Sequence, residues 1–231
     1  MSEHPALRIP EGDPSKQAPR GPIDLPFAKR AFDIVVSATS LLLTLPLAVL
    51  VIVLMATEQL LDPAARGPFL YKETRISKGE PIPFYKFRAF KMSAIRSMKE
   101  ELGYIETKLL EWDRSSMTTV GRLIQRVYLD EIPQLISILR GDMTLVGPRP
   151  TNPSRSTLLR SQGWQSKELM KGGLTGAYQS RKGDADLPKS DLEMDLEYID
   201  FVARSSGWKV LLYDLGVLLR TVRIVWRAGG V

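Results

Sequence analysis

The apolar and charged positions divide the chain into three zones. From Ile34 to Thr57 there is no charge: IVVSATSLLLTLPLAVLVIVLMAT. About two dozen apolar residues suffice to cross a hydrocarbon core roughly 30 Å thick. Pro46 sits within this run, where it removes a backbone donor and crowds the preceding turn. Two paths are open: a kinked helix that spans, or a chain bent at Pro46 so that both ends return to one face. Arg20, Lys29 and Arg30 precede the run, and Arg66, Lys72 and Arg75 follow it. Basic residues on both flanks favour two cytoplasmic ends, which suits a re-entrant hairpin. Asp33, just inside the entry, is placed to pair with Lys29 and Arg30 near the lipid headgroups.

Before this run, residues 1–26 carry Pro5, Pro10, Pro14, Pro19, Pro22 and Pro26 among polar residues. Such a stretch buries too little apolar surface to fold alone and reads as a disordered tail. It has neither the apolar core nor the cleavage site of a secretory signal.

From about Asp62 onward the pattern is that of a globular domain. GPFLYKETRISKGEPIPFYKFRAF holds short aromatic and β-branched runs split by Gly and Pro, which predicts a small hairpin or extended segments. Met92–Trp112 has helical spacing. Leu123–Leu139 is apolar-periodic, with a break expected near Ile132 because Pro133 follows. Asp191–Ala203 predicts another helix. In Gly207–Arg227, Trp208, Tyr213 and Trp226 accompany Lys209, Arg220, Arg223 and Arg227 around an apolar stripe. That arrangement suits a helix lying in the bilayer interface and equally a core-facing amphipathic helix. The fold class expected is α+β, mostly helical, with a small β element.

Composition narrows the chemistry. The 231 residues carry a net charge of +6, which favours anionic partners. There is no cysteine and one histidine, His4, in the tail. Thiol catalysis, Ser-His-Asp chemistry and histidine- or cysteine-bound zinc are thereby excluded. Carboxylates, lysine, tyrosine, serine or a carboxylate-bound hard cation remain. Basic charge without a recognised motif gives no support for nucleic acid as a partner.

The candidate chemistry gathers in Gln125–Pro150, QRVYLDEIPQLISILRGDMTLVGPRP. Asp130 and Glu131 are adjacent, so on a helix they point about 100° apart and divide labour rather than form one clamp. A carboxylate can attack phosphorus, and a second can hold Mg²⁺ that the substrate's phosphates complete. Arg126, four residues before Asp130, falls on the same helical face. Gly147-Pro148-Arg149-Pro150 forms a rigid turn presenting one guanidinium, whose fork matches phosphate oxygens. Lys86 and Arg88 add a second basic cluster, although an arginine in such a place serves as readily to tie loops together through backbone carbonyls. Lys171-Gly172-Gly173 reads as a tight turn, since it fits neither standard phosphate-loop pattern.

LDEIPQLISILRGDMTLVGPRP closely resembles the core motif of bacterial sugar transferases, the polyprenyl-phosphate hexose-1-phosphate (monotopic phosphoglycosyl) transferases. KRAFDIVVSATSLLLTLPL, GPFLYKETRISKG, FYKFRAFKM, GGLTGAYQ and DLEYI match in order and spacing from about Lys29 to the end. The resemblance implies a re-entrant helix over 27–61 bent at Pro46, entering the cytoplasmic leaflet of the bacterial inner membrane. It implies a cytoplasmic catalytic domain over 62–231 with a C-terminal interfacial helix. It also implies a two-step reaction. Asp130 takes the phosphosugar from a UDP-sugar, releasing UMP, and polyprenyl (undecaprenyl) phosphate then accepts it. Glu131 would bind Mg²⁺, and Lys86, Arg88, Arg126 and Arg149 would bind phosphate. The chain departs from the family pattern at Tyr128 (commonly Ser), Gln125 (commonly Arg), Lys171-Gly172 (commonly Pro-Gly) and Ala89-Phe90 (commonly Ser/Thr-Met). The rival reading is a non-catalytic membrane-anchored module that binds anionic lipid.

Overall fold

The computed structural model describes residues 19, 21–102, 107–110, 112–181 and 189–229. His4 and most of the expected tail lie outside these. The tail's last residues are tied down: Ile23 N–H donates to Leu169 O at 2.7 Å, and Ile23 and Leu25 pack on the main core.

The uncharged run forms α1 (Phe27–Leu61), continuous through Pro46. Among the described residues it is the one helix long and apolar enough to cross a membrane, and most of its apolar stretch is exposed. The hairpin follows as β1 (Leu70–Ser77) and β2 (Glu80–Phe87), antiparallel, with Leu70 opposite Phe87 and Ser77 opposite Glu80. Its two turn residues, Lys78 and Gly79, have φ of 50° and 79°. Two positive φ values give the primed turn whose twist matches that of paired strands.

The remaining helices are α2 (Met92–Leu102), α3 (Thr107–Leu110), α4 (Thr119–Arg126), α5 (Gln134–Arg140), α6 (Pro153–Ser161), α7 (Ser166–Leu169), α8 (Asp191–Arg204) and α9 (Gly207–Gly229). Ser190 and Glu193 start α8 with a reciprocal capping box. β3 (Thr144–Val146) and β4 (Gly173–Thr175) pair in parallel. The predicted turn at Lys171-Gly172-Gly173 therefore runs into a strand, and the glycines serve close approach. A Cβ on Gly173 would lie 2.2 Å from Gly147 N, and one on Gly172 would lie 2.3 Å from Pro150 Cγ. The architecture is α+β and mostly helical, as expected.

α1 runs antiparallel to the stretch from α4 to α5 and contacts it at both ends. Near its start, Arg30 donates to Ile138 O at 2.6 Å and Leu139 O at 2.9 Å. Further along, Val51 and Met55 bury against Phe87 and Ile124, with Leu129 and Ile132 beside them. Near its end, the Glu58 carboxylate accepts from Thr119 N–H and Val120 N–H at 2.5 and 3.2 Å. Between these anchors Leu42, Leu43, Leu45, Val49 and Leu50 are exposed. α9 repeats the pattern: Val210, Asp214 and Val217 are buried, while Trp208, Leu212, Leu215, Leu219, Val222 and Trp226 form an exposed stripe.

Asp33 does not meet the headgroups. It is buried, accepts from Thr144 Oγ1 at 2.5 Å and Leu145 N–H at 3.2 Å, and lies 3.9 Å from Lys29. Lys29, also buried, donates to Asp214 at 2.5 Å and Val146 O at 3.0 Å, and Tyr198 O–H donates to the other Asp214 oxygen at 2.5 Å. One polar network thus locks α1 to β3, α8 and α9. A buried charge is tolerable only when its bonds are satisfied in this way.

Candidate active site

Asp130 and Glu131 lie on a 3₁₀ turn, Leu129–Glu131, between α4 and α5. The break expected near Ile132 comes earlier: α4 ends at Arg126, and Tyr128 takes a left-handed conformation with φ 59°. Pro133 stands instead as the residue before α5, where its missing N–H costs nothing.

This break corrects two expectations. Arg126 ends exposed on the last turn of α4, and no helix carries it onto the face of Asp130. The charges acting on Asp130 are those of Lys86, Glu131 and Arg149. The two carboxylates also share one cation, although neighbours on a 3₁₀ turn point about 120° apart. Lys86 Nζ, from β2, donates to Asp130 Oδ2 at 3.2 Å and to Glu131 Oε1 at 3.1 Å. Arg149, in the Gly-Pro-Arg-Pro turn after β3, donates to the same Glu131 Oε1 at 2.5 Å and to Leu174 O at 3.4 Å. The cluster therefore joins three segments distant in sequence: β2, the 3₁₀ turn and the turn after β3.

Arg88 has another task. It is buried, and its guanidinium donates to Pro68 O at 2.8 Å, Phe90 O at 2.9 Å and Ala65 O at 2.6 Å. Its donors hold together the loops flanking the hairpin, in place of the phosphate contact expected of it. Pro46 lies in the exposed part of α1, between the two anchored ends.

Burial pushes the Asp130 carboxyl up to about 6, against the pull of the Lys86 charge and with the Glu131 charge adding to the rise. For Glu131 burial works in the same sense, but Arg149 and then Lys86 outweigh it and hold the carboxyl well below the usual range. Lys86 is kept protonated: burial opposes its charge, and Glu131 and Asp130 restore it. Near neutrality the pair is thus ionised. Asp130 is the more basic and more nucleophilic member, and Glu131 is a permanent anion. Two carboxylates whose surroundings drive their pKa values apart are suited to different roles.

Among the described residues no three acidic or histidine side chains gather as a self-contained metal cage. Asp130 and Glu131 supply hard oxygen donors of the kind Mg²⁺ takes singly or in pairs, with water and substrate phosphates completing the shell. The donor set fits that mode. The Lys86 ammonium stands between the same carboxylates and supplies part of the neutralising charge.

Comparisons with known proteins agree with one another. A family model described as bacterial sugar transferase matches residues 25–228. The chain is 33% identical over 214 residues to the undecaprenyl-phosphate galactose phosphotransferase of Salmonella typhimurium, covering 88% of this chain and 41% of that protein. It is 34% identical over 202 residues to the UDP-glucose:undecaprenyl-phosphate glucose-1-phosphate transferase of Escherichia coli, covering 84% and 39%. A Caulobacter vibrioides protein of the same name is 29% identical over 213 residues, covering 90% and 73%. The chain spans about two fifths of the length of the first two.

Proposed function

The chain belongs to the bacterial sugar transferase family, and from that premise we propose that it moves a sugar-1-phosphate from a UDP-sugar to polyprenyl phosphate. The observation that carries the reading is the Lys86–Asp130–Glu131–Arg149 cluster. It is built on a segment that packs along the membrane helix, where a lipid-borne phosphate arrives.

In the first step an Asp130 oxygen attacks the β-phosphorus of the donor. The bond from that phosphorus to the α–β bridging oxygen breaks, and UMP leaves with the electron pair. In the second step a phosphate oxygen of the polyprenyl carrier attacks the aspartyl phosphosugar. The phosphorus–Asp130 bond breaks, the carboxylate is restored, and a polyprenyl-diphosphate sugar results. Lys86 keeps Asp130 ionised inside a buried site and remains close to the transferring phosphoryl group. Arg149 fixes Glu131 and brings a guanidinium charge that suits phosphate oxygens. Glu131 would hold Mg²⁺, whose contribution is to neutralise charge on the diphosphate.

We read α1 as re-entrant in the cytoplasmic leaflet of the bacterial inner membrane. Both of its ends are bonded to one domain, which supports placing both on the same side of the bilayer, and Pro46 stands in the exposed part between them. The exposed stripe on α9, flanked by tryptophans, supports an interfacial helix beside it.

The test is UMP release by purified protein in lipid nanodiscs, with Mg²⁺, undecaprenyl phosphate and a panel of UDP-sugars. Release with at least one donor is expected, together with its loss in Asp130→Asn. Silence with every donor would leave the non-catalytic lipid-binding module as the better reading. Full turnover by Asp130→Asn would remove the nucleophile.

A further inference from the structure

The departure at Lys171 gives the domain a cationic corner that the transfer site does not use. The side chain reaches over Gly141, the left-handed residue closing α5 (φ 90°). A Cβ built on Gly141 would lie 3.3 Å from Arg30 Nη2 and 3.6 Å from Lys171 Nζ, so these two cationic ends converge on one spot. Lys78 joins them from the hairpin turn. Its N–H donates to Met170 O at 3.2 Å, which brings its backbone beside that of Lys171. Arg140 adds a fourth cation at the end of α5.

The counter-charges are fewer and looser. Asp24 pairs with Lys78 at 2.6 Å, but its side chain is 97% exposed. Asp142 pairs with Arg140 at 3.4 Å. Arg30 and Lys78 thus act on Lys171 with Asp142 and Asp24 as the counter-charges, and among the described residues no carboxylate lies within ion-pair distance of Lys171. The strain is visible on Lys171: partial burial, then the charges of Arg30 and Lys78, depress its ammonium below the ordinary lysine value. An anion placed here would relieve that repulsion.

The corner's position argues for a lipid. Arg30 lies on α1 one turn before Ile34, about 6 Å along the axis. Ile34 projects to the same side, is exposed, and opens the apolar run continued by Leu45. Cations at the head of a lipid-facing wall match the two halves of an anionic glycerophospholipid, phosphate above and acyl chain below. A free phosphate ion would have no use for the wall.

We propose that Lys171 and Lys78, backed by Arg30, form a headgroup site for an anionic glycerophospholipid such as phosphatidylglycerol. The site is separate from the Lys86–Asp130–Glu131–Arg149 cluster and rests on the reading of α1 as lipid-embedded. Arg30 also caps the carbonyls of α5, so the two lysines are the positions to vary.

The experiment is native mass spectrometry of the full chain in detergent with an equimolar mixture of phosphatidylglycerol and phosphatidylcholine. Wild-type protein is expected to retain phosphatidylglycerol preferentially. The preference should fall by about fivefold for each lysine lost in Lys78→Ala and Lys171→Ala, as expected for a cation at a lipid surface. Lys171→Arg should keep it. Equal retention of the two lipids by wild type, or an undiminished preference in the double variant, overturns the site. Displacement of phosphatidylglycerol by millimolar glycerol 3-phosphate overturns the lipid assignment in favour of a soluble phosphate. UMP release, measured in parallel, reports separately on the transfer reading.

Discussion

Lys86→Met tests whether one ammonium keeps the carboxylate proposed to attack, Asp130, ionised. The side chain is similar in length, so the hairpin face keeps its packing while the shared cation disappears. At 3.2 Å and an effective dielectric of about 20, the lost attraction for Asp130 is at most ~5 kcal/mol. Water and Arg149 compensate in part, which leaves a rise of about 2 pKa units. The sign follows from the direction already present. Burial has raised Asp130 to about 6, and removing a cation disfavours the anion further, so the titration moves up to about pH 8. Single-turnover UMP release, followed from about pH 5 to pH 9.5, should show an acid limb near 6 in the wild type. In the variant that limb should lie near 8, with a roughly tenfold loss at pH 7 that is largely recovered at pH 9. The limb belongs to the coupled pair rather than to Asp130 alone, but its displacement is read directly. A limb that stays near 6, or a rate deficit equal at every pH, refutes the reasoning and leaves Lys86 a substrate contact or a packing residue.

Arg88→Ala strips three loop carbonyls, two of them in buried hydrogen bonds, of their donor. It should cost about 4 kcal/mol and lower the thermal midpoint by roughly 10 °C, with turnover per folded molecule unchanged. A stable variant with a raised KM for the UDP-sugar would instead return Arg88 to the phosphate site. Gly173→Ala drives a methyl group into Gly147 N and should cost at least ~3 kcal/mol, seen as loss of folded protein on expression; near-wild-type stability would contradict the strand contact. Single cysteines at Gly21 and Asp62, in a chain with no native cysteine, should both react with a membrane-impermeant maleimide only from the cytoplasmic side. Labelling of one from the periplasm would refute the re-entrant reading.

What could be read from the residues alone differs by element for physical reasons. α1 was legible because an uncharged run of that length has few other homes. The hairpin was legible because short aromatic and β-branched runs split by Gly and Pro are local signals. The polarity of α9 was visible too, but not its division into a buried and an exposed side, since both sides are apolar. The break before Asp130 was hidden because Tyr128 stands in the left-handed region, where a non-glycine residue gives no warning. That single conformation removes Arg126 from the Asp130 face and turns two neighbouring carboxylates towards one lysine. Long-range partners were equally out of reach. Asp33 looked like a headgroup contact because Lys29 and Arg30 are its neighbours in sequence; Lys29 does lie beside it, but in the interior, with donors from β3, while Arg30 turns to α5. Arg88 shows the same limit in reverse: a basic residue two positions from Lys86 would share its face if the strand continued, but β2 ends at Phe87 and Arg88 turns to loop carbonyls instead. The carboxylate pair itself was found from residue type, but its chemistry depends on which cations fold onto it. That is a property of tertiary contact, and it is why the pH limb of Lys86→Met probes the site more sharply than the loss of Asp130 does.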